Sequence, residues 1–360
     1  MFDRLSALVD TLRPRRAART AKAVEDLLAT SRELKRVVKQ LEDWREKSDE
    51  RAAALESEVR SLRATLSDVG LGESRLRAIY RRDVDQQQAL ASLDRLLCVE
   101  GIAPHIERAV GAAHLHADPF PHLVLEDLFP RAFYDAVIDG IPPVELFDGA
   151  DNKQRIVVPF EMAPAFSRRV WSFLLHDLVD GVLGPALLRT FREPLTDWVR
   201  ETWPELGDRP VESVVSLQST DGRILLRRRG YVIPPHRDPK WGFVTCLLYL
   251  ASPGDSEAWG TQLYAVDSDV EAASVAPHWI RPQQCRLVKD VPFRANSALV
   301  FMNSHGAHGA QIPATAEPAD LERYIYQFRI GPTAESIRRL VSLLPPERRE
   351  RWSGKVADYA

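Results

Sequence analysis

Hydrophobic residues recur at seven-residue intervals through the N-terminal part of this chain and at alternate positions through most of the remainder, so two kinds of structure are expected. Leu27, Leu34, Leu41, Leu55, Leu62 and Val69 form one series, with Ser48 its polar interruption. Val24, Ser31, Val38, Arg45, Ala52, Val59 and Leu66 form its companion. These are the d and a positions of a heptad, and no glycine or proline falls between Pro14 and Gly70. A single helix with such a stripe must bury it against a partner, so residues 23–110 are predicted to be a helical coiled-coil region, most simply a homodimer. Gly70 and Gly72 are expected to break it. A second helical stretch, Glu73 to Leu97, keeps Leu76, Leu90 and Leu97 in the stripe but sets Asp83, Gln87 and Asp94 at seam positions. Ahead of the seam, Phe2, Leu5, Leu8, Val9 and Leu12 share a helical face and are followed by Arg13, Arg15, Arg16 and Arg19. Residues 1–22 therefore read either as a frayed basic start to the coiled coil or as an amphipathic segment for an anionic membrane surface.

From about Asp118 the period shortens to two, and proline and glycine become frequent, which marks residues 115–360 as a second domain. His122–Asp127 reads as its opening strand, and Phe133–Ile138 and Ser167–Val182 read as helices. Val211–Gln218, the turn Thr220-Asp221-Gly222 and Arg223–Arg229 are expected to form a hairpin. Further strands are predicted at Phe243–Leu250, Gln262–Val266, Ala298–Met302 and Tyr324–Ile330, with closing helices at Ala334–Leu344 and Pro346–Trp352. Many short strands with turns between them point to an antiparallel sandwich or barrel.

Composition narrows the picture. The 360 residues suffice for one sizeable core and a second unit, and a formal net charge of −3 supplies no basic field for nucleic acid. Cys98, Cys246 and Cys285 are dispersed and odd in number, which suits a reducing compartment and excludes a disulfide framework. No apolar run is read as approaching the roughly 20 residues of a membrane span. Asp3 and Asp10 interrupt the N-terminal apolar stretch, so no secretory signal is expected and the expected location is the cytoplasm.

The candidate chemistry lies in Tyr231-Val232-Ile233-Pro234-Pro235-His236-Arg237-Asp238. His236 and Asp238, two apart at a strand end, point to the same face. Asn303-Ser304-His305-Gly306-Ala307-His308-Gly309 offers a second imidazole, His308 by preference and His305 as the alternative. Two neutral imidazoles and a carboxylate suit a non-haem Fe(II) with three open positions. Another His-x-Asp, His116-Ala117-Asp118, sits in a Pro-rich loop with no apolar strand leading into it, and is read as non-ligating.

Arg229-Gly230-Tyr231-x-Ile233-x-Pro235-His236-x-Asp238, Leu247-Leu248-Tyr249-Leu250, Gly260-Thr261-x-Leu263-Tyr264, Asn296-Ser297-x-Leu299-Val300-Phe301 and Ala307-His308-Gly309 occur in that order, with Arg323 then leading into a strand. Over residues 118–332 this resembles the 2-oxoglutarate- and Fe(II)-dependent oxygenase superfamily. The resemblance implies an α+β chain with a mainly β catalytic domain: a double-stranded β-helix (jelly roll) with flanking helices, preceded by the long coiled coil. It implies His236, Asp238 and His308 as catalytic metal ligands, with Arg323, or alternatively Arg329, as the anchor for 2-oxoglutarate. Tyr231, Asn303, Gln262 and Tyr264 are candidate cosubstrate or substrate contacts. The implied activity is hydroxylation with release of succinate and CO2, using Fe(II), 2-oxoglutarate and O2, with ascorbate as an accessory. Halogenation is disfavoured because Asp238 supplies the carboxylate. The substrate, a small molecule or peptide, is left open. Arg227, Arg228 and Arg229 either meet an anionic substrate or protect a strand edge. Trp259-Gly260-Thr261 stands where many relatives carry paired glycines, which questions the loop geometry there. The competing readings are a non-catalytic coiled-coil scaffold with a degenerate jelly-roll binding module, and a cupin-like sandwich with another metal.

Overall fold

The computed structural model describes residues 2–252, 254–267 and 274–353. Side chains of 2–21 and of 23, 24, 26, 28, 29, 43, 54, 64 and 221 lie outside the described set, and with them the amphipathic face expected in residues 1–22. The chain forms two compact units, 1–73 and 74–360, each considered by itself.

A single helix runs Phe2–Asp85. Gly70 and Gly72 do not break it, because an isolated glycine costs a helix only about 1 kcal/mol and the flanking residues are strong helix formers. In the first unit the heptad leucines stand in solvent: Leu27, Leu34, Leu41, Leu55, Leu62 and Leu66 are all exposed. The expected helical region 23–110 does not behave as one piece. Leu93, Ile102, Ile106 and Val110 are buried in the core of the second unit.

Among the described residues the second unit has twelve strands. They are β1 (His122–Leu125), β2 (Phe147–Ala150), β3 (Lys153–Ile156), β4 (Leu217–Arg227), β5 (Val232–Arg237) and β6 (Val244–Tyr249). Then follow β7 (Thr261–Val266), β8 (His278–Trp279), β9 (Cys285–Val291), β10 (Ser297–Met302), β11 (Ala307–Gln311) and β12 (Arg323–Pro332). One antiparallel sheet has the order β1-β10-β6-β12-β4-β3-β2, the other β8-β5-β11-β7-β9. Every residue of β6 and β10 is buried, which explains their unbroken apolar runs: both faces are covered. Cys246, Leu248, Val300, Tyr326 and Phe328 turn outward to the helices, whereas Leu247, Tyr249, Leu299 and Phe301 turn inward to Leu263 and Val291 of the second sheet.

The helical stretch Ala165–Thr190 is, by length and composition, apolar enough to cross a bilayer, contrary to the sequence expectation. Its apolar side chains Phe166, Val170, Trp171, Leu174, Leu178, Leu183 and Leu187 are buried in the core. The expected hairpin at 211–229 is also corrected. Val211–Val214 is a helical turn and β4 runs unbroken through Thr220-Asp221-Gly222. Opposite β12, Thr220 pairs with Arg329 and Arg223 with Gln327, so two residues of β4 face one of β12 in a bulge. Gly222 is there for close approach, since a Cβ would meet the Tyr326 hydroxyl.

At the start of β7, Trp259 takes a left-handed φ of 58° that glycine would adopt freely, and Gly260 packs against β9. A Cβ on Gly260 would lie 1.9 Å from the Val291 carbonyl oxygen, a backbone atom that cannot swing aside. Gly260→Ala is therefore expected to lower stability by about 1–3 kcal/mol, read as a lower urea midpoint at unchanged slope.

Candidate metal centre

His236 lies near the end of β5, Asp238 two residues on, and His308 is the second residue of β11. Antiparallel pairing sets His308 directly opposite His236, with ring centroids 4.2 Å apart. The ligand atoms of His236, Asp238 and His308 lie within 4.8 Å of one another and all three residues are buried. Among the described residues this is the only cluster of its kind, so His116-x-Asp118 forms none. His305 stands apart, exposed and 3.3 Å from Glu201.

Hydrogen bonds fix how each group faces the cluster. Nδ1 of His236 is 2.9 Å from the Pro234 carbonyl; it donates there, which leaves Nε2 with its lone pair free for a metal. Burial holds the His236 pKa below its ordinary value and pushes that of His308 down to about 3, with the neighbouring His236 adding to the effect. Both imidazoles are thus neutral donors at pH 7. For Asp238 burial alone would raise the pKa. The Arg329 charge and its hydrogen bond outweigh it and hold the carboxyl below the usual range. Arg329 Nη2 donates to Oδ1 at 2.9 Å and Thr245 Oγ1 to Oδ2 at 2.6 Å.

Supporting contacts hold the loops. Arg237 donates to the carbonyls of Gly306 at 3.0 Å and His305 at 2.6 Å, tying the segment before β11 to β5. Asn303 spends its amide donors on the Asp238 and Pro239 carbonyls, so what it offers a ligand is its oxygen.

Arg323 is 1% exposed, yet its Nε and Nη1 have no hydrogen-bond partner. Nη2 donates to the Ala258 carbonyl at 3.2 Å, and the guanidinium lies 4.4 Å from the centroid of Phe293. A buried cation with unpaired donors has the hydrogen-bonding capacity that a carboxylate fork would satisfy. Arg329 shares the strand and its parity but is committed to Asp238, which separates the two arginines that sequence left as alternatives.

The other sequence candidates fall elsewhere. Tyr231 packs with Ile312, Ala316 and Leu321, under the Arg227 guanidinium at 4.8 Å. Gln262 and Tyr264 pair with Gly309 and Ala307, whose side-chain parity is opposite to that of His308. They therefore face away from the cluster and hydrogen-bond each other at 2.8 Å, a correction to the expectation that they meet ligand. The Arg227–Arg229 run does not guard a strand edge, because β4 is flanked by β12 and β3. Each of the three donates to a nearby backbone carbonyl or carboxylate.

No family model and no curated protein matches this chain. Among solved structures it is similar to 2-oxoglutarate- and Fe(II)-dependent oxygenases. One is HygX from Streptomyces hygroscopicus with nickel, 2-oxoglutarate and hygromycin B bound (14% identity, 59% of this chain and 83% of that one, TM-score 0.33). Others are a Pseudomonas putida prolyl-4-hydroxylase (14%, 64% and 98%, 0.34) and a Trichoplax adhaerens prolyl hydroxylase in complex with a hypoxia inducible factor peptide fragment (10%, 74% and 97%, 0.35). The reading of the site rests on the strand order and the side chains themselves.

The donor set fits a metal on its own terms: two neutral imidazoles and an ionised carboxylate, with ligand atoms within 4.8 Å of one another, are the donors that a non-haem Fe(II) would take. Sequence reading missed Thr245, whose one visible signal is a hydroxyl inside an otherwise apolar strand. Thr245→Val removes the Oδ2 hydrogen bond while keeping shape. It is expected to weaken divalent metal binding about 10–100-fold with little change in melting temperature, measured by titration with Co(II).

Proposed function

We propose that the second unit is a 2-oxoglutarate- and Fe(II)-dependent dioxygenase that hydroxylates an organic substrate, built as a double-stranded β-helix. The observation that carries this reading is the buried His236, Asp238 and His308 cluster. The topology supports it, because the chain alternates between the two sheets through β4 to β7 and again through β9 to β12.

His236, His308 and Asp238 would hold the ion. Fe(II) bound with 2-oxoglutarate supplies the O2 chemistry that inserts oxygen into a C–H bond and releases succinate and CO2. The chain's own groups do the positioning. Arg323 would take the distal carboxylate of the oxo acid on its unpaired Nε and Nη1, in buried, low-dielectric surroundings where that pairing is strong. Phe293, Tyr249 and Leu263 keep the space between the sheets apolar and exclude water. Arg329 and Thr245 hold Asp238 ionised and oriented. No described side chain among these needs to exchange a proton for the positioning to work.

For the first unit, the exposed heptad leucines support a coiled-coil homo-oligomer. In the full chain, combined Leu34→Lys, Leu55→Lys and Leu62→Lys is expected to reduce the solution mass to that of a monomer; an unchanged mass contradicts the coiled coil.

Anaerobic addition of Fe(II) and 2-oxoglutarate is expected to give the weak visible charge-transfer band of the chelate. Asp238→Ala should abolish the band, whereas Arg323→Met should keep metal binding and need at least about tenfold more 2-oxoglutarate. A metal-loaded wild type without the band, or a band untouched by Asp238→Ala, overturns the reading.

A further inference from the structure

A cavity of about 280 Å³ opens beside Asp238. Apart from Asp238, its lining sets three fixed cations, Arg237, Lys240 and Arg348, against the single carboxylate of Glu201. Glu201 itself lies 3.3 Å from Nε2 of His305, and Arg348 is paired with Glu205 at 3.4 Å; with that pair counted as neutral, the lining still sets Arg237 and Lys240 against Glu201. Ser304 also lines the cavity. It is 7% exposed, and its hydroxyl has no hydrogen-bond partner, which leaves a donor waiting in the wall. Trp198 and Trp352 supply flat apolar surface, with the Lys240 ammonium 4.5 Å above the Trp352 ring.

A concave wall with an excess of positive charge concentrates anions, and a carboxylate or phosphate collects charge-assisted hydrogen bonds there that a neutral group does not. The volume lies just under the roughly 300–1,000 Å³ of small-molecule sites, which suits a compact ligand. We propose that this cavity binds the anionic group of the substrate, and that the molecule oxidised is a small organic acid, a carboxylate or phosphate ester, with an aromatic or apolar body against Trp198 and Trp352. That the bound acid is the molecule oxidised rests on the oxygenase reading; the anion preference of the cavity does not.

The test uses the full chain, loaded with Fe(II) and saturated with 2-oxoglutarate without oxygen. Phenyl phosphate, phenylacetate and neutral benzamide are titrated in, and binding is followed by tryptophan fluorescence. At least one acid is expected to bind about tenfold or more tighter than benzamide, the better one telling phosphate from carboxylate. Lys240→Met is expected to weaken that acid about tenfold while leaving benzamide and the charge-transfer band unchanged. Arg348→Met serves the same purpose should Lys240→Met fold poorly. Benzamide binding as tightly as both acids, no acid binding at all, or both variants keeping full acid affinity overturns the proposal. The two readings fail separately: loss of the band in wild type removes the oxygenase, while the same titration on metal-free protein still reports the cavity.

Discussion

The ion pair between Asp238 and Arg329 is the interaction on which the rest of the site depends. Burial of a carboxylate that is 4% exposed raises its pKa and favours the protonated form, which is no metal ligand. Arg329 reverses that by charge and by a 2.9 Å hydrogen bond, and Thr245 fixes the other oxygen. Removing one partner of such a pair costs about 3–5 kcal/mol, so the arrangement is worth keeping only where the charge is used. Both supporting residues come from the first sheet and meet the two imidazoles from the second. Asp238 thereby joins the two sheets at the level of the cluster.

The two buried arginines of β12 divide their roles by what neutralises them. Six residues apart, they share a face, and at about 3.3 Å per residue they stand roughly 20 Å from each other along the strand. Arg329 has its carboxylate within the protein. Arg323 rests on aromatic rings with two nitrogens unpaired, so its charge is left for a ligand to satisfy. In the proposed reading, one arginine serves the metal and the other the oxo acid.

The candidate cluster was legible because its signal is local and repeated in context: a His-x-Asp with strands on both sides, a distant imidazole after an apolar strand, and a cation entering a strand. The long helix is legible from its period, although Gly70 and Gly72 do not break it. What could not be read was three-dimensional compensation. Thr220-Asp221-Gly222 has turn chemistry, yet pairing with β12 before and after it carries β4 through and turns the extra residue into a bulge. Gln262 and Tyr264 sit in the right strand, but their parity relative to His308 depends on register, which no local pattern encodes. Trp259 holds a left-handed φ of 58° next to Gly260, whose close packing against the Val291 carbonyl no local pattern encodes.

The most direct measurement of the central claim is X-ray absorption on the full chain loaded anaerobically with one equivalent of Fe(II). The account predicts a six-coordinate iron with two imidazole ligands, falling to one in His308→Ala and unchanged in His305→Ala. An all-oxygen shell, or a spectrum that loses imidazole with His305 and not with His308, would contradict it.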